Sequence, residues 1–489
     1  MEIKKVSKLN ILYIAESIIF LVLCFFFTPK IDDIIFHFDE FFKFTNFKEL
    51  VYQTLYYGNG RILGNGFGIL FSKIPEVFYF VEFVLVQIFC FSAEKLTEIK
   101  NSRIFFMAVF LLQPIFFVKQ VESWLCGFIN YFVPILLLMF ILLILKNCNN
   151  EQSKVRRLFS CVSIIVLGFA EQLFVQHNAV MNLVIAVTVL IVFIRKKKCV
   201  LEPVLLIISN IAGLALLLGY NYYIDFEQTW VYMNDFELGT LVFSLDSISE
   251  MVKVLVSNLG TFVYVYFASI VIYTILMAVI LHMDSKDKTI KFKKLNVCLM
   301  ALYYPAAVLV FVLCLVDKLS VMRYAVIIAG LFALNIIGFS YSFIKAVFLK
   351  MPLKLRIASL LTFLYALASA VPFLVYAILG AYRGIWLTYT LLCLFVLMVA
   401  DFARNEYGFK FEKQLLIFSI CACVVTACYI PAYAVQKQIY NYKAENYSTE
   451  YYLPASDQVL VDQDLAWHFA EGNIDHEFIP YKEFKEMQE

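Results

Sequence analysis

GFINYFVPILLLMFILLIL, residues 127–145, runs for nineteen residues without a charged side chain. At about 1.5 Å per residue such a helix is about 28 Å long, close to the ~30 Å hydrocarbon core of a bilayer. It is apolar on every face, which suits a lipid or a deeply buried environment and not the surface of a soluble domain. Glu122 and Trp124 precede it and Lys146 follows it. Aromatic and basic residues at the two ends of an apolar run are the pattern of a membrane–water interface. Runs of this kind recur through a chain that is 62% hydrophobic and only 16% charged. The sequence therefore predicts an all-α, polytopic transmembrane helix bundle.

Working outward from 127–145, apolar runs between polar breaks give about thirteen spans: 11–28, 69–92, 104–118, 127–145, 158–170, 174–194, 200–220, 254–282, 295–315, 324–344, 357–379, 385–402 and 414–433. With the Lys-bearing N-terminus "MEIKKVSK" inside, alternation puts "EKLTEIKNSR", "KNCNNEQSKVRR", "RKKK", "DSKDKTIKFKK", "KAVFLKMPLKLR" and "ARNEYGFKFEK" on the same side. That side then holds 26 of the 40 Lys and Arg, against 14 on the other. The bias fixes the expected orientation, N-terminus cytoplasmic and C-terminus external, in the cytoplasmic (inner) membrane. Spans 158–170 and 174–194 are kept apart because merging them would bury Glu171 and His177 mid-helix, so a turn is expected near Glu171. No small-residue cleavage pattern follows "CFFFTPKIDD", and the first span reads as a retained anchor. The 12 Cys form no C-x-x-C pair, and no disulfide framework follows.

"YYGNGRILGNGFG", residues 56–68, has the look of a phosphate cradle. Its glycines at 58, 60 and 64 are one residue too widely spaced for a dinucleotide fingerprint, and no strand-like run precedes them. By the span order it lies on the outer side, where lipid-linked phosphates are the available phosphate chemistry. The outer loops also collect acids, arginines and aromatics: Asp32 and Asp33 after the first span, Arg61 in the glycine-rich turn, Glu122, Trp124 and Asn130, Glu171 and His177, Arg323, and Tyr382 with Arg383. Residues 34–56, with apolar side chains near helical spacing, read as an amphipathic helix in the interface plane. Arg pairs with phosphate oxygens in a forked geometry and aromatic faces stack on sugar rings, so this set suits a sugar phosphate. The expectation is one outward-opening cavity lined by Asp32, Asp33, Arg61, Glu122, Glu171 and Arg383.

The acidic loop after a first span, the further acids in the next outer loop and the motifs "NGRILGN", "WLCGFINYFVP", "GFAEQ" and "GAYRG" resemble the GT-C superfamily of integral-membrane glycosyltransferases, and more closely a bacterial group related to surface-polysaccharide glucosyltransferases. The resemblance covers most of residues 1–433, taken as a GT-C-like transmembrane domain, and residues 434–489 are an external C-terminal segment with 11 acids against four Lys. It implies transfer of a sugar from a polyprenyl-phosphate donor to a glycan or lipid acceptor at the outer membrane face. It maps the essential carboxylate onto Asp32 or Asp33, a second acid onto Glu122, and the basic residues that grip the donor phosphate onto Arg61 and Arg383. From their places in the outer loops Glu171 is expected among the catalytic acids, Arg323 among the phosphate contacts, and Trp124, Asn130, His177 and Tyr382 among the substrate contacts. No D-x-D occurs in the second outer loop, which leaves the cofactor, and any divalent metal, open. Membrane lipids are expected partners and nucleic acids are not. A flippase of lipid-linked oligosaccharides and a polysaccharide polymerase or ligase are the competing readings. The tail is expected to fold onto the outer loops through Tyr440, Tyr447, Tyr451 and Trp467.

Overall fold

The computed structural model describes residues 8–29, 33, 44–56, 61–114, 118–148, 153–223, 254–256, 258–286, 292–315, 322–375 and 382–446. These residues are helical nearly throughout, and no strand occurs among them. In chain order the helices are α1 Lys8–Phe25, α2 Phe47–Tyr56, α3 Ile62–Ser72, α4 Pro75–Thr97, α5 Ser102–Leu111, α6 Leu125–Tyr131, α7 Val133–Asn147, α8 Lys154–Glu171, α9 Gln176–Arg195 and α10 Leu201–Tyr223. They continue with α11 Phe267–Lys286, α12 Lys293–Leu315, α13 Met322–Ala346, α14 Leu353–Val375, α15 Trp386–Tyr407 and α16 Phe411–Asn446. Eleven helical runs among the described residues are long and apolar enough to cross a membrane, α6 and α7 together forming one of them, Leu125–Asn147. The chain is a polytopic membrane protein.

Two of the thirteen expected spans are not among those eleven. The run at 104–118 yields only α5, ten residues and about 15 Å, half the thickness of a bilayer core. Pro114 stops it, since proline disfavours helix in the residue before it and cannot donate within one. All residues of α5 but Arg103 are buried, as are Leu112, Gln113 and Pro114, so this end of the helix lies within protein and not in lipid. The freed carbonyls at its end are met by side chains: Gln113 Nε2 donates to Val109 O at 2.7 Å, Thr426 Oγ1 to Leu111 O at 3.4 Å, and Tyr429 OH to Gln113 O at 2.8 Å. The other, 158–170, is α8, which starts early with Arg156 and Arg157 and ends at Glu171. The turn expected there is present, with Leu173 N donating to Ala170 O at 3.0 Å before α9 begins.

The core gathers around α5. Phe110 meets Phe20 of α1 edge-on at 5.1 Å and stacks on Trp386 of α15 at 5.2 Å, and Phe132 packs against both Phe110 and Trp386. A second, smaller core joins α7, α8, α9 and α10 through Ile141, Ile164, Ala186 and Leu206. There Gly168 lets α8 approach α10 so closely that an added Cβ would lie 2.5 Å from Ser209 Oγ, the small-residue packing that brings membrane helices together. The helices on the rim expose large aliphatics, Ile337 and Val308 among them, which a lipid environment accommodates.

Contacts sort the two ends of the bundle. Lys146 bridges Glu98 at 2.7 Å and donates to Lys95 O; Arg103 reaches Glu94 at 3.3 Å and Asn10; Lys198 donates to Cys148 O; Arg157 bridges Glu202 at 3.3 Å. His282 contacts Tyr407 O at 2.8 Å, Lys350 lies over the Tyr407 ring, and Phe105 packs on Phe411. The basic loops assigned to one side of the membrane thus meet at one end. At the other end α16 comes back to α1: Tyr433 packs edge-on against Phe27 at 5.3 Å and its hydroxyl lies 3.1 Å from Ser123 Oγ.

The boundary drawn at 433/434 falls inside α16, which runs unbroken through Pro431 to Asn446. Tyr447, Tyr451 and Trp467 lie outside the described residues, as does the side chain of Tyr440. Of the expected interfacial helix, α2 covers 47–56, and 34–43 lie outside the described residues. A reciprocal cap starts α2: Glu49 N donates to Asn46 Oδ1 at 3.0 Å, and Thr45 N donates to Glu49 Oε2 at 2.6 Å. The backbone donor on Thr45 holds the exposed Glu49 carboxyl below its ordinary range.

Candidate functional site

Asp33 lies only a few residues beyond α1, yet its carboxylate is fully buried against the start of α6. Leu125 N donates to Oδ2 at 3.1 Å and Cys126 N to Oδ1 at 3.0 Å. The first N–H groups of a helix have no partner in their own backbone, and a carboxylate that takes two of them satisfies the orphans and sits at the positive end of the helix dipole. Asp33 therefore pins the loop after α1 to the beginning of the Leu125–Asn147 span. Its neighbour Asp32 lies outside the described residues.

Glu122 ends a π-helical turn, Val118–Glu122, which Ser123 N closes onto Val118 O at 2.7 Å. The side chain is 1% exposed and Oε1 has no hydrogen-bond partner among the described residues. Burial pushes this carboxyl well above the usual carboxylate range. Trp124, half-buried, comes just before α6. Asn130 lies within α6, with Nδ2 donating to Cys126 O at 2.9 Å.

The glycine-rich stretch resolves into helix packing. Arg61 immediately precedes α3, and Gly64 in the first turn of α3 faces Asn130 so closely that a Cβ there would stand 2.0 Å from Oδ1 and 2.8 Å from Cγ. Gly66 does the same more loosely against Thr54 of α2. The glycines bring α2, α3 and α6 together, and Arg61 stands where they meet. Gly64→Ala should lower stability by about 1–3 kcal/mol, the usual cost of overpacking. Removing the obstruction in Gly64→Ala/Asn130→Ala should recover part of it, read as the thermal midpoint of the purified protein in detergent.

From α3 the path continues to the turn after α8, because Leu63 N donates to Leu173 O at 3.1 Å. Glu171 at that turn is fully buried; Gln172 Nε2 approaches its Oε1 at 3.4 Å and Asn210 of α10 lies within hydrogen-bonding reach. The 3-10 turn Tyr382–Ile385 packs against both the π-helical turn and α6. It brings the backbone of Tyr382 and Arg383 to the same place, while their side chains lie outside those described. Comparison with family models, curated proteins and solved structures gives no match to this chain. The site therefore has to be read from its own geometry.

That geometry gathers Asp33, Glu122 and Trp124 at the start of α6, with Asn130 near its end packed on the first turn of the helix that Arg61 precedes, and the backbone of 382–383 beside it. The groups acting on the Glu171 carboxyl are Gln172 and Asn210, not Asp33 or Glu122. Glu171 joins this group through α3, whose Leu63 N donates to Leu173 O at 3.1 Å. Arg323 lies in the first turn of α13 and His177 in the first turn of α9, and their side chains lie outside those described.

Sequence reasoning missed Glu82. It lies in α4, is fully buried, and has neither carboxyl oxygen hydrogen-bonded. Phe78, one turn before it, packs on Phe128 of α6 at 6.0 Å, which puts α4 beside the site. Glu16 of α1 is likewise fully buried in a span, beside Ser419 of α16. The signal that could have found both is a lone carboxylate inside an apolar run, which in a membrane helix is a functional pointer by default. Among the described residues no group of His, Cys, Asp and Glu is arranged to hold a metal ion, and no step below is routed through one.

Proposed function

We propose that the chain is a membrane glycosyltransferase that moves a sugar from a polyprenyl-phosphate carrier to a cell-envelope glycan or lipid acceptor at the outer face of the cytoplasmic membrane. The observation that carries the reading is Glu122, a buried carboxyl with one oxygen unpartnered among the described residues, held by a tight turn beside the Asp33-anchored start of α6. Such a group serves as a general base for an acceptor hydroxyl. Asp33, its oxygens occupied by two backbone donors, positions the turn. Arg61 pairs with the phosphate of the donor and then of the leaving group, where negative charge grows in the transition state. Burial of the site keeps out water, which would otherwise hydrolyse the donor. The basic loops at the opposite end agree with a cytoplasmic placement of that end.

A second reading, transport of a lipid-linked sugar, is favoured by Glu16 and Glu82, because carboxylates inside membrane helices are common in transporters. Purified protein in vesicles, given radiolabelled polyprenyl-phosphate hexose and an envelope-lipid extract, separates the two. Label transferred to an acceptor supports the transferase, and unmodified donor crossing the bilayer with no transfer replaces it with the transporter. In the same assay Arg61→Ala should weaken donor binding by about tenfold, ~1.4 kcal/mol, and lower the rate as well.

A further inference from the structure

α16 packs on α1 and α5, and one of its faces is polar. Thr426, Tyr429, Tyr433 and Lys437 follow one another at helical spacing, which puts them on the same side of the helix. Each reaches a polar atom of another segment. Thr426 Oγ1 donates to Leu111 O at 3.4 Å, Tyr429 OH to Gln113 O at 2.8 Å, and Lys437 Nζ to Phe25 O. Tyr433 OH lies 3.1 Å from Ser123 Oγ, and both residues are buried. The contacts to Leu111 and Gln113 satisfy backbone between helices, which at membrane depth must find its partners within the protein. The contact of Tyr433 joins two side chains instead, and Ser123 is the residue that follows Glu122.

Glu122 is thereby bracketed. On one side Ser123 N closes the π-helical turn onto Val118 O at 2.7 Å, and Val118 N donates to Pro114 O at 3.1 Å. On the other, Asp33 takes the N–H groups of Leu125 and Cys126. The Tyr433 ring is itself held edge-on against Phe27 at 5.3 Å, and Phe27 against Tyr79 at 5.6 Å, so the hydroxyl is presented from a packed base. We propose that Tyr433 is a positioning residue that acts through Ser123: its hydroxyl holds the turn so that the Glu122 carboxyl stays in place against an incoming hydroxyl. The consequence for sugar transfer rests on the transferase reading; the hold on the turn does not. A shift of the carboxyl by about 1 Å can cost on the order of 100-fold in rate with the donor still bound, so one hydroxyl on a distant helix matters to turnover.

The test begins without substrate, as hydrogen exchange of the purified protein in detergent read by mass spectrometry. Tyr433→Phe keeps the ring on Phe27 and removes only the hydroxyl, and amide exchange in the peptide spanning Val118–Cys126 should rise by about tenfold. Ser123→Ala removes the same bond from the other side and should raise it as much, which covers the case in which one of the two variants does not fold. Tyr429→Phe is the control: it too removes a hydroxyl from this face of α16, and it should leave that peptide at the wild-type rate. In the transfer assay Tyr433→Phe should lower kcat by about tenfold with KM for the polyprenyl-phosphate hexose unchanged. The Tyr433→Phe/Ser123→Ala protein should be no slower than the slower single variant, because both act through one bond. Wild-type exchange at the turn in either folded single variant would overturn the proposal, and so would an equal loss of turnover in Tyr429→Phe or losses that add in the double variant. If wild type transfers no sugar, the transferase reading fails while the exchange still decides whether Tyr433 holds the turn.

Discussion

Glu122→Gln should lower sugar transfer by on the order of 100-fold or more while donor binding and thermal stability stay near those of the parent protein. The amide fills the same space in the turn after α5 but cannot accept a proton, so the loss falls on turnover alone. Because burial raises the Glu122 pKa, the base form is scarce at acidic pH, and the wild-type rate should climb with pH through a range above the ~4.3 of an ordinary glutamate. The same shift has a stability consequence of opposite sense. A carboxyl whose folded pKa is raised contributes fully below its unfolded pKa, and that contribution is lost as pH rises through the folded value. Wild type should therefore lose thermal stability on that alkaline approach and Glu122→Gln should not. Full transfer activity in the variant would remove Glu122 from the chemistry.

The helical bundle was legible because hydropathy is a property of windows. Eleven of the thirteen runs read from the sequence coincide with helices long enough to cross a membrane, and the turn at Glu171 was found because a merged helix would have buried an acid and a histidine mid-membrane. The same window averaging hid what matters most at the site. One carboxylate in the apolar stretch around Glu82 leaves that stretch strongly apolar on average, so the residue vanished into a span. The break after Leu111 was hidden likewise, since "LLQPIFFV" stays apolar through Pro114 and only the packing of Thr426 and Tyr429 on the freed carbonyls makes the interruption tolerable. The glycine-rich stretch was legible in part. Its composition suggested a phosphate cradle, but the need for Gly64 is set by Asn130, a partner 66 positions away that only the folded chain brings near.

Asp33 is the case where sequence and structure give one residue two roles, and the two predict different outcomes. The adjacency of Asp32 and Asp33 in an outer loop marks a catalytic pair, whereas the fold has Asp33 holding Leu125 N and Cys126 N across 92 and 93 positions of sequence. If the anchor is its role, Asp33→Ala leaves two buried N–H groups without an acceptor, at about 1–3 kcal/mol each, and should be the least stable of the variants considered. Asp33→Asn keeps one acceptor but turns an NH2 toward the second backbone donor, so it should lose a smaller part of that stability. Both should lose transfer by on the order of 100-fold or more, because the start of α6 and the turn carrying Glu122 drift from the geometry that puts a base against a hydroxyl. The discriminating measurement is the thermal midpoint alongside turnover. Loss of both together, graded from Asn to Ala, supports the anchor. An Asp33→Asn protein as stable as wild type yet inactive would make Asp33 the base, and would leave Glu122 the supporting carboxyl.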